Sequence, residues 1–388
     1  MTTSTGITAH KWRSLQMHYN TLFVGMDVHK ETFTLCCYDM QQDRVFATQK
    51  MEADCNQVLK YLTSLRKIVG NDVDLVCGYE AGCLGFTLYH QLTKFEINCI
   101  ILAPTTMMKS GRNTVKTDKR DAALIAKCLA YHTYRPVHIP SEQDEQIKEF
   151  IRMRDDHKLA LKKVKQQILA FCLRQGYVYS ATKKHWTIAH ISWLNALKPE
   201  GLCGETLSEY LLSYRTLTDK VERLDRRIEE LASQDAYQEP VKKLSCFLGV
   251  KTQTALATIV EVGDFHRFSS AQRFAAYLGL VPGENSSGES QKRLGITKAG
   301  NVHVRTLLVE AAQSFSRGKV GHKSVVLQKR QEGNTPEVIA FADRANERLR
   351  RKYYKMVLTQ SKRSNVAKTA IARELVCFIW GMMTDNIA

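Results

Sequence analysis

Four carboxylates stand at positions in the sequence where they could hold divalent metal ions. Asp27 ends the apolar run LFVGMD and Glu80 ends DLVCGYE, so each closes a predicted strand at the edge where loops leave a sheet. Asp118 and Asp121 lie three residues apart at the start of a predicted helix, where side chains at this spacing share one face. Hard divalent cations prefer oxygen ligands, and two ions about 3.5 to 4 Å apart can promote phosphodiester displacement by activating the attacking oxygen and stabilising the leaving one. These acids predict a carboxylate site, without histidine or cysteine, for Mg²⁺ and for two ions.

Asp118 has a second interpretation, because the run KTDKRDAALIA also suits an aspartate that caps the N-terminus of a helix. The further carboxylates at two strand ends favour the metal site over the cap. Repulsion among clustered carboxylates raises their pKa values, so metal binding is expected to relieve it and to stabilise the fold.

The apolar patterns predict the elements that position these acids. Three strands, LFVGMD, TFTLCCYD and RVFATQK, precede a helix, and strands and helices then alternate in the order β-β-β-α-β-α-β-α. Two hairpins followed by crossovers imply a mixed sheet with helices on its faces, which is the order of the ribonuclease-H-like fold. In such a sheet the first and fourth strands are neighbours, which would place Asp27 and Glu80 at the same edge. A doubly wound nucleotide-binding domain is disfavoured, because MDVHKET offers no glycine-rich turn after the first strand.

The rest of the chain is predicted to be helical. Residues 143–236 hold long helix-forming stretches, and LTDKVERLDRRIEELAS repeats apolar residues at three- and four-residue steps. This stripe predicts a coiled-coil or helical hairpin arm, and packing on another chain and packing on its own domain both stay open. The predicted divisions are a polar extension at 1–20, an α/β catalytic domain at 21–140, the arm at 141–237, a helical domain at 238–320 and basic helices at 321–388.

Composition indicates the partner of the protein. Lysine and arginine number 56 against 39 aspartates and glutamates, a formal net charge of +17. Such an excess repels itself unless a polyanion is near, so nucleic acid is the expected partner, although ribosomal, membrane-surface and heparin-binding proteins share this balance. The 11 cysteines form no C-x-x-C pair, which disfavours a zinc site and is typical of buried thiols in a reducing compartment. No apolar run reaches the roughly 18 residues of a membrane span, so a soluble, cytoplasmic protein without a membrane partner is expected.

Three segments together resemble the N-terminal domain of a known family: VGMDVHKETF, GYEAGCLGFTLYHQL and APTTMMKSGRNTVKTDKRDAALIA. They are similar to the DEDD-type insertion-sequence transposases, the family that includes the Piv DNA invertases and the bridge-RNA-guided recombinases. The resemblance implies a ribonuclease-H-like domain similar to that of the RuvC Holliday-junction resolvase. It places the catalytic and metal-binding tetrad on Asp27, Glu80, Asp118 and Asp121, and covers about residues 25–130 and 240–315.

The second half resembles the C-terminal transposase domain of the same family, from LSCFLGVKTQTA to AGNVHVRTLLVEAA. In that family a serine in an S-G element is the nucleophile and forms a transient phosphoserine link to DNA. The segment GLVPGENSSG offers Ser286 and Ser287, and the position before Gly288 selects Ser287. The residues alone would not single it out, because serines in such loops usually serve turns. A serine hydroxyl needs a base or a metal for activation, so Ser287 and the tetrad are expected to form one composite site, within one chain or between protomers.

Basic residues near these positions are candidates for binding nucleic acid. They are Lys116, Lys119 and Arg120 beside the acidic pair, Lys292, Arg293, Lys298 and Arg305 after the serine, and Arg350 and Arg351 in the C-terminal run ANERLRRKYYKMVLTQSKR. Two tyrosines interleave that run, which is typical of a helix that follows phosphates and stacks a base. The alternatives are balance of local charge for the first group and a solvated helix face for the last.

The resulting hypothesis is a site-specific recombinase that excises and inserts a mobile element in a prokaryote, acting at the nucleoid. It implies DNA as substrate, a structured guide RNA that selects sites by base pairing, and a homodimer or tetramer. A guided protein reads duplex shape and backbone, which agrees with a basic chain that has no recognisable helix-turn-helix or zinc finger. Two alternatives stay open: a Holliday-junction-resolvase-like nuclease that forms no protein link, and a nucleic-acid-binding protein whose acids are structural.

Overall fold

The computed structural model describes residues 21–82, 84–107, 117–182, 184–287 and 290–387. The chain divides into two compact units between Ile139 and Pro140, and each is described by itself. The division into five segments stays a prediction, and its N-terminal extension, 1–20, lies outside the described residues.

The first unit follows the predicted order of strands and helices. Its elements are β1 (Thr21–Val28), β2 (Thr32–Asp39), β3 (Arg44–Glu52), α1 (Cys55–Val69), β4 (Asp74–Glu80), α2 (Thr87–Thr93), β5 (Cys99–Leu102) and α3 (Asp118–Ala130). A short 3₁₀ turn, Pro104–Thr106, follows β5. The β-β-β-α-β-α-β-α order is therefore confirmed.

These strands form one mixed sheet in the order β3-β2-β1-β4-β5. The pairs β1–β2 and β2–β3 are antiparallel, as the two hairpins require, whereas β1–β4 and β4–β5 are parallel. The predicted mixed sheet is confirmed, and so is the prediction that the first and fourth strands are neighbours. The carboxyl ends of β1 and β4 consequently meet at one edge of the sheet.

Alternation along β1 assigns its side chains to two different helical layers. Leu22, Val24 and Met26 belong to the core that α1 and α2 cover, whereas Phe23 packs with residues of α3. Because side chains along a strand alternate between faces, Gly25 and Asp27 also lie on the α3 side. The same alternation on β4 puts Tyr79 in the α1 core and leaves the neighbouring positions on the α3 side.

Gly25 allows α3 to lie directly on β1. A Cβ atom at this position would stand 2.0 Å from the carbonyl oxygen of Ala122 and 2.5 Å from the amide nitrogen of Ala126. Both are backbone atoms that cannot rotate away, so only glycine fits. The two facing helix residues are alanines, the smallest side chains that still favour a helix. This close contact holds the N-terminus of α3 near the carboxyl end of β1.

The second unit is helical apart from one hairpin. Its elements are α4 (Glu142–Arg174), α5 (Ile188–Ala196), α6 (Gly201–Ala232), α7 (Asp235–Ser245), α8 (Thr252–Val262), α9 (Ala271–Tyr277), β6 (Pro282–Ser287), β7 (Ser290–Ile296), α10 (Val302–Ala312), α11 (Val325–Gln331), α12 (Pro336–Tyr354) and α13 (Ser364–Met383). Short 3₁₀ and π segments, Gln313–Ser316 and Lys355–Thr359, follow α10 and α12. Among the helices of the described residues, none combines the length and the apolar character that crossing a membrane requires.

The two longest helices, α4 and α6, pack along each other within the chain. The early residue Ile151 of α4 shares a core with Ile228 late in α6, whereas Phe171 near the end of α4 shares one with Leu207 early in α6, so the helices run antiparallel. The stripe predicted for α6 is therefore buried on the same chain, including Val221 at 8% exposure. A coiled-coil arm is not confirmed, and the structure favours the alternative of packing within the domain.

The C-terminal helices surround α13. Ile371, Leu375 and Ile379 are fully buried there and share one core with α8, α10 and α12. The serine segment, which the sequence suggested was a loop, forms the hairpin of β6 and β7. Its backbone is thus paired instead of irregular.

The prediction that most cysteines are buried thiols is confirmed among the described residues. All ten described cysteines are free, and Cys77, Cys99 and Cys128 are buried whereas Cys377 is partly exposed. Burial raises the pKa of Cys77 to about 12. Such thiols stay protonated near neutral pH and are poor metal ligands and nucleophiles.

Candidate active site

One row of side chains crosses four strands on the α3 side of the sheet. Asp27 on β1 is the register partner of Thr34 on β2, and Thr34 is the partner of Lys50 on β3. On the other side of β1, Met26 pairs with Tyr79 of β4, so continuing the parallel register by one residue sets Asp27 beside Glu80. We call Lys50, Thr34, Asp27 and Glu80 the four-strand row.

The N-terminus of α3 brings two further acids toward this row. Asp118 is the first residue of the helix, and Thr117 occupies the N-cap position. The alternative role of Asp118 as the cap is therefore wrong. Its Oδ2 atom instead accepts a hydrogen bond from Nζ of Lys50 at 2.8 Å. Asp121 follows three residues later, still in the first turn of the helix.

Three side chains present potential metal ligands close together. Oxygens of Asp27 and Asp118 and a ring nitrogen of His29 all lie within 4.8 Å of one another. Nε2 of His29 is 3.2 Å from Oδ2 of Asp27, whose side chain is 15% exposed. Two carboxylates and an imidazole are a donor set that divalent cations accept, so these residues fit a metal ion.

Sequence reasoning missed His29, because it expected a site without histidine. The signal was present in the spacing of MDVHK, since residues two apart on a strand point to the same side. Lys50 was also missed. It is distant in sequence, and its position across two strands follows only from the register.

The charges of the site act on each other. Burial raises the pKa of Asp27, the nearby Asp121 and Asp118 raise it further, and His29 opposes them. The hydrogen bond from Lys50 lowers the pKa of Asp118. A partly buried carboxylate that its acidic neighbours destabilise is suited to bind a cation, because the cation removes that repulsion.

The other two predicted ligands lie near this group without belonging to it. Glu80 is exposed at the end of β4, and Asp121 is partly exposed on α3. Among the described residues, the group of close ligand atoms consists of Asp27, His29 and Asp118. The structure thus brings oxygens of Asp27 and Asp118 within 4.8 Å of each other, with Glu80 at the next register position on β4 and Asp121 three residues along α3.

The predicted nucleophile lies at the end of a hairpin strand. In the backbone pairing Ser287 opposes Ser290, and Ser286 opposes Gln291. Gly288 lies outside the described residues. The base of the hairpin is fixed by backbone hydrogen bonds from Thr297 to Val281 and from Lys298 to Gly279.

Beside this base lies a polar cluster that the sequence did not reveal, which we call the polar hub: Arg152, Asp155, Glu261, Asn301 and His303. His303 bridges two carboxylates, with Nε2 at 2.9 Å from Asp155 and Nδ1 at 3.1 Å from Glu261. Glu261 also accepts hydrogen bonds from Arg152 and Asn301. The hub links α4 to α8 and to the start of α10, and Asn301 also caps α10.

Hydrogen bonds within the polar hub outweigh the effect of burial on the pKa values of its charged groups. The hydrogen bond to Asp155, followed by the one to Glu261, raises the pKa of His303 to about 9. Burial opposes ionisation of Glu261, but hydrogen bonds from His303, Arg152 and Asn301 outweigh it and lower the pKa to about 2. His303 is therefore an imidazolium at neutral pH.

Two of the predicted nucleic-acid ligands are buried. Arg305 is 9% exposed, and its Nη1 donates to the carbonyl oxygens of Leu278 and Ala299. Arg350 is 8% exposed, and its Nη1 donates to the carbonyl oxygens of Lys319 and His322. Guanidinium groups enclosed in this way stabilise the fold and are not presented to phosphates. We correct the prediction at these two positions. The sequence could not reveal the burial, because the residue type of a single arginine does not indicate whether its side chain is buried.

The other predicted basic residues have varied surroundings. Lys119 and Arg120 are exposed on the first turn of α3, Lys298 is exposed after the hairpin, and Lys292 and Arg293 lie on β7. Lys116 lies outside the described residues. Of the two tyrosines of the C-terminal run, Tyr353 is buried, and Tyr354 is partly buried against the same core and donates its hydroxyl to the carbonyl oxygen of Gly318.

Arg351 belongs to a larger basic surface. Arg344, Arg348, Arg351 and Lys355 are exposed and recur at three- and four-residue steps along α12 and the segment after it. They line an open groove of about 680 Å³ together with Phe341 and Phe378. Glu374 pairs with Arg348, and Glu347 pairs with Arg351, which leaves a net positive charge. We call these four cations the basic face of α12.

Comparisons with known proteins place the chain in a family. A model of the DEDD transposases of IS110, described as "Transposase", matches residues 24–177, and one described as "Transposase IS116/IS110/IS902 family" matches 241–325. The transposase for insertion sequence element IS1533 of Leptospira borgpetersenii is 30% identical over 89% of this chain and 99% of its own length. A transposase-like protein of Sinorhizobium fredii, y4qE, is 32% identical over 95% and 90%. The pilin gene-inverting protein of Moraxella bovis is 24% identical over 82% and 91%.

These matches agree with the geometry. The DEDD model covers the sheet from Val24 of β1 onward and α3, and it indicates a ribonuclease-H-like fold and dependence on divalent metal. The second model covers the serine hairpin and α10. Transposases act on DNA, which makes DNA the expected partner. The chain belongs to the IS116/IS110/IS902 family of transposases, and it is a DNA transposase of a mobile element.

Proposed function

We propose that this transposase cuts and rejoins DNA with a metal-bound tetrad, Asp27, Glu80, Asp118 and Asp121, and with Ser287 as nucleophile. The observation that carries the proposal is that Asp27 at the end of β1 and Asp118 at the start of α3 hold their oxygens within 4.8 Å of each other, next to the register position of Glu80. The side chain of Asp27 is 15% exposed, and burial together with the neighbouring Asp121 and Asp118 raises its pKa. A bound cation would compensate this repulsion.

The metal is proposed to be Mg²⁺, with two ions in the complete site. Bound divalent cations neutralise phosphate charge and lower the pKa of an attacking hydroxyl. Asp27 and Asp118 would hold the ion from the sheet and from α3, and Glu80 and Asp121 would complete the site from neighbouring backbone positions.

Ser287 is proposed to attack the scissile phosphate. Its Oγ forms a bond to phosphorus, the bond from phosphorus to one DNA oxygen breaks, and that oxygen leaves as a hydroxyl with the proton that serine gives up. The phosphoserine conserves the phosphodiester, so a hydroxyl of another strand can reverse the step and join the DNA. Support comes from the match of residues 241–325 to the family model and from the S-G sequence that Ser287 forms with Gly288.

DNA and a structured guide RNA are the proposed nucleic-acid partners, in a homodimer or tetramer. Lys119, Arg120, Lys292, Arg293 and Lys298 would contact phosphates near the reacting strands, and the basic face of α12 would hold a flanking backbone. The RNA rests on resemblance to the guided recombinases alone. Omitting RNA from the reaction tests it, because joining without RNA would exclude a guide.

A denaturing assay tests the serine mechanism. Protein, Mg²⁺, guide RNA and labelled DNA are mixed and denatured, and a covalent protein–DNA adduct is expected. Ser287→Ala should abolish the adduct, whereas the neighbouring Ser286→Ala should retain it. Clean cleavage that neither substitution affects would instead indicate a resolvase-like nuclease. DNA joining that survives Asp118→Ala together with Asp121→Ala would contradict the tetrad.

A further inference from the structure

His29 is placed where a metal ligand of the first strand is needed. It follows β1 by one residue, and its backbone nitrogen donates to the carbonyl oxygen of Thr32, which holds the tight turn into β2. Its ring turns toward Asp27, with Nε2 at 3.2 Å from Oδ2. The side chain remains 59% exposed, so burial in a core does not explain the orientation of the ring.

The distances suit a shared ion. Atoms that bind one ion at about 2.1 Å each are separated by at most about 4.2 Å. The ligand atoms of Asp27, His29 and Asp118 lie within 4.8 Å of one another, so small side-chain rotations bring all three to one ion. The ring nitrogen is neutral when it binds, and therefore adds a ligand without adding to the repulsion between the carboxylates.

A nitrogen ligand changes which ion the site prefers. Carboxylate oxygens suit Mg²⁺, whereas imidazole suits transition ions, which bind nitrogen more strongly. We infer that His29 is a direct ligand of the divalent ion, and that it shifts the preference of this site from Mg²⁺ toward transition ions. Mn²⁺ is the probe, because it accepts carboxylate oxygens as Mg²⁺ does and, as a transition ion, also binds an imidazole nitrogen. This inference rests on the metal site of the proposed function and specifies its chemistry.

The test measures metal binding without DNA. The full-length wild-type protein and the variants His29→Ala and His29→Gln are titrated with Mn²⁺ and with Mg²⁺ by calorimetry, and the Mn²⁺ complexes are studied by pulsed electron paramagnetic resonance. The exposed His266 provides the matched control, as His266→Ala. The wild type and the control should show modulation from a coordinated imidazole nitrogen. His29→Ala should lose this signal, and its ratio of Mn²⁺ to Mg²⁺ affinity should fall below that of the wild type and of the control.

The outcomes separate three situations. An unchanged affinity ratio and an unchanged nitrogen signal in His29→Ala would overturn the inference while leaving the carboxylate site intact. A wild-type ratio in His29→Gln would also overturn it, because glutamine can orient Asp27 by a hydrogen bond but offers no imidazole nitrogen. If the wild type binds neither ion, the metal site of the proposed function fails, and the inference fails with it.

Discussion

The carboxylate of Asp118, which the proposed metal site needs as a ligand, is paired with the ammonium group of Lys50. The two side chains are 56% and 41% exposed, so water screens the pair and its strength is modest. A cation that binds Asp118 must displace this ammonium or bind beside it. Lys50 therefore competes with the metal for one carboxylate.

Replacing Lys50 by alanine is expected to tighten Mg²⁺ binding about two- to fivefold, since exposed ion pairs contribute about 0.2 to 1 kcal/mol. Calorimetric titration at low and high salt measures this, and the gain should shrink with salt. Lys127→Ala is the matched control, because Lys127 forms a similar pair with Asp43 elsewhere on α3. Weaker binding in Lys50→Ala would mean that Lys50 orients Asp118 for the metal.

At the residue scale, the sequence predicted the acids better than their neighbours. Asp27 and Asp118 could be found because strand ends and helix starts leave local signals. His29 also left a local signal, two residues after Asp27, that the expectation of an all-carboxylate site passed over. Lys50 left none, because its position depends on which strands pair and in which register. Ser287 came from resemblance alone, since a serine between Ser286 and Gly288 has no distinguishing local chemistry.

The contact between α3 and β1 sets the geometry of the site at the element scale. Gly25→Ala would put a methyl group 2.0 Å from a backbone oxygen, so α3 must move away from the sheet. Overpacking of this kind costs about 1 to 3 kcal/mol and occasionally more. We expect a decrease of about 3 kcal/mol in the free energy of unfolding, together with weaker Mg²⁺ binding.

Denaturant titration and calorimetry on Gly25→Ala measure these two effects. Gly82→Ala is the matched control, because the nearest atom to its added methyl group would be the Glu80 oxygen at 3.8 Å, an ordinary contact. If Gly25→Ala kept the stability and the metal affinity of the wild type, the contact between α3 and β1 would not be what positions Asp118.

The polar hub predicts a pH dependence of stability in the second unit. The pKa of His303 rises from 6.5 to about 9 on folding, so its contribution is full below about pH 6.5 and is lost as the pH rises through 9. The pKa of Glu261 falls from 4.5 to about 2, so its contribution is present above about pH 4.5 and is lost toward pH 2. Stability from the hub is therefore greatest between these two windows.

Denaturant midpoints measured from pH 6.5 to 9 test this, and the midpoint of the wild type is expected to fall across that range. In His303→Gln this part of the pH dependence should disappear, because glutamine does not titrate. His266→Gln removes an exposed histidine and should leave the curve unchanged. Equal slopes in wild type and His303→Gln would show that the imidazolium does not stabilise the hub.

The elements themselves were largely predictable, whereas their partners were not. The period of two along β1 and the crossovers after it determined the order and the neighbours of the first sheet. The apolar stripe of α6 could have faced another chain, and only the packing of Val221 and Ile228 against α4 decides its side. Periodicity reveals that a face is buried, but not what buries it.

For the whole molecule, the net charge of +17 predicts strong dependence of DNA binding on salt. The logarithm of the affinity should fall by about 0.9 per phosphate contact for each tenfold rise in salt. If the basic face of α12 holds DNA, replacing Arg344, Arg348 and Arg351 by alanine should reduce the magnitude of this slope by the equivalent of about three phosphate contacts. Filter binding or fluorescence anisotropy over a salt series measures it.

A matched control removes the same charge elsewhere. Lys158, Lys162 and Lys163 are exposed on α4, and their triple alanine variant also loses three charges. If both triple variants change the slope equally, the effect reflects total charge and DNA does not bind at the basic face. Net charge could be read from the sequence, but its concentration along one side of α12 required the packing that buries Arg350 and exposes Arg351.

The four-strand row has a practical consequence for preparing the protein. A slip of one residue in the pairing of β1 would turn Asp27 to the opposite face and separate it from Asp118, while leaving the content of strand unchanged. Spectra of secondary structure would not detect such misfolded chains. Stoichiometric metal uptake would, because it counts the chains whose strands have found the native register. A refolded preparation can therefore be graded by the fraction of molecules that bind an ion, before any DNA is added.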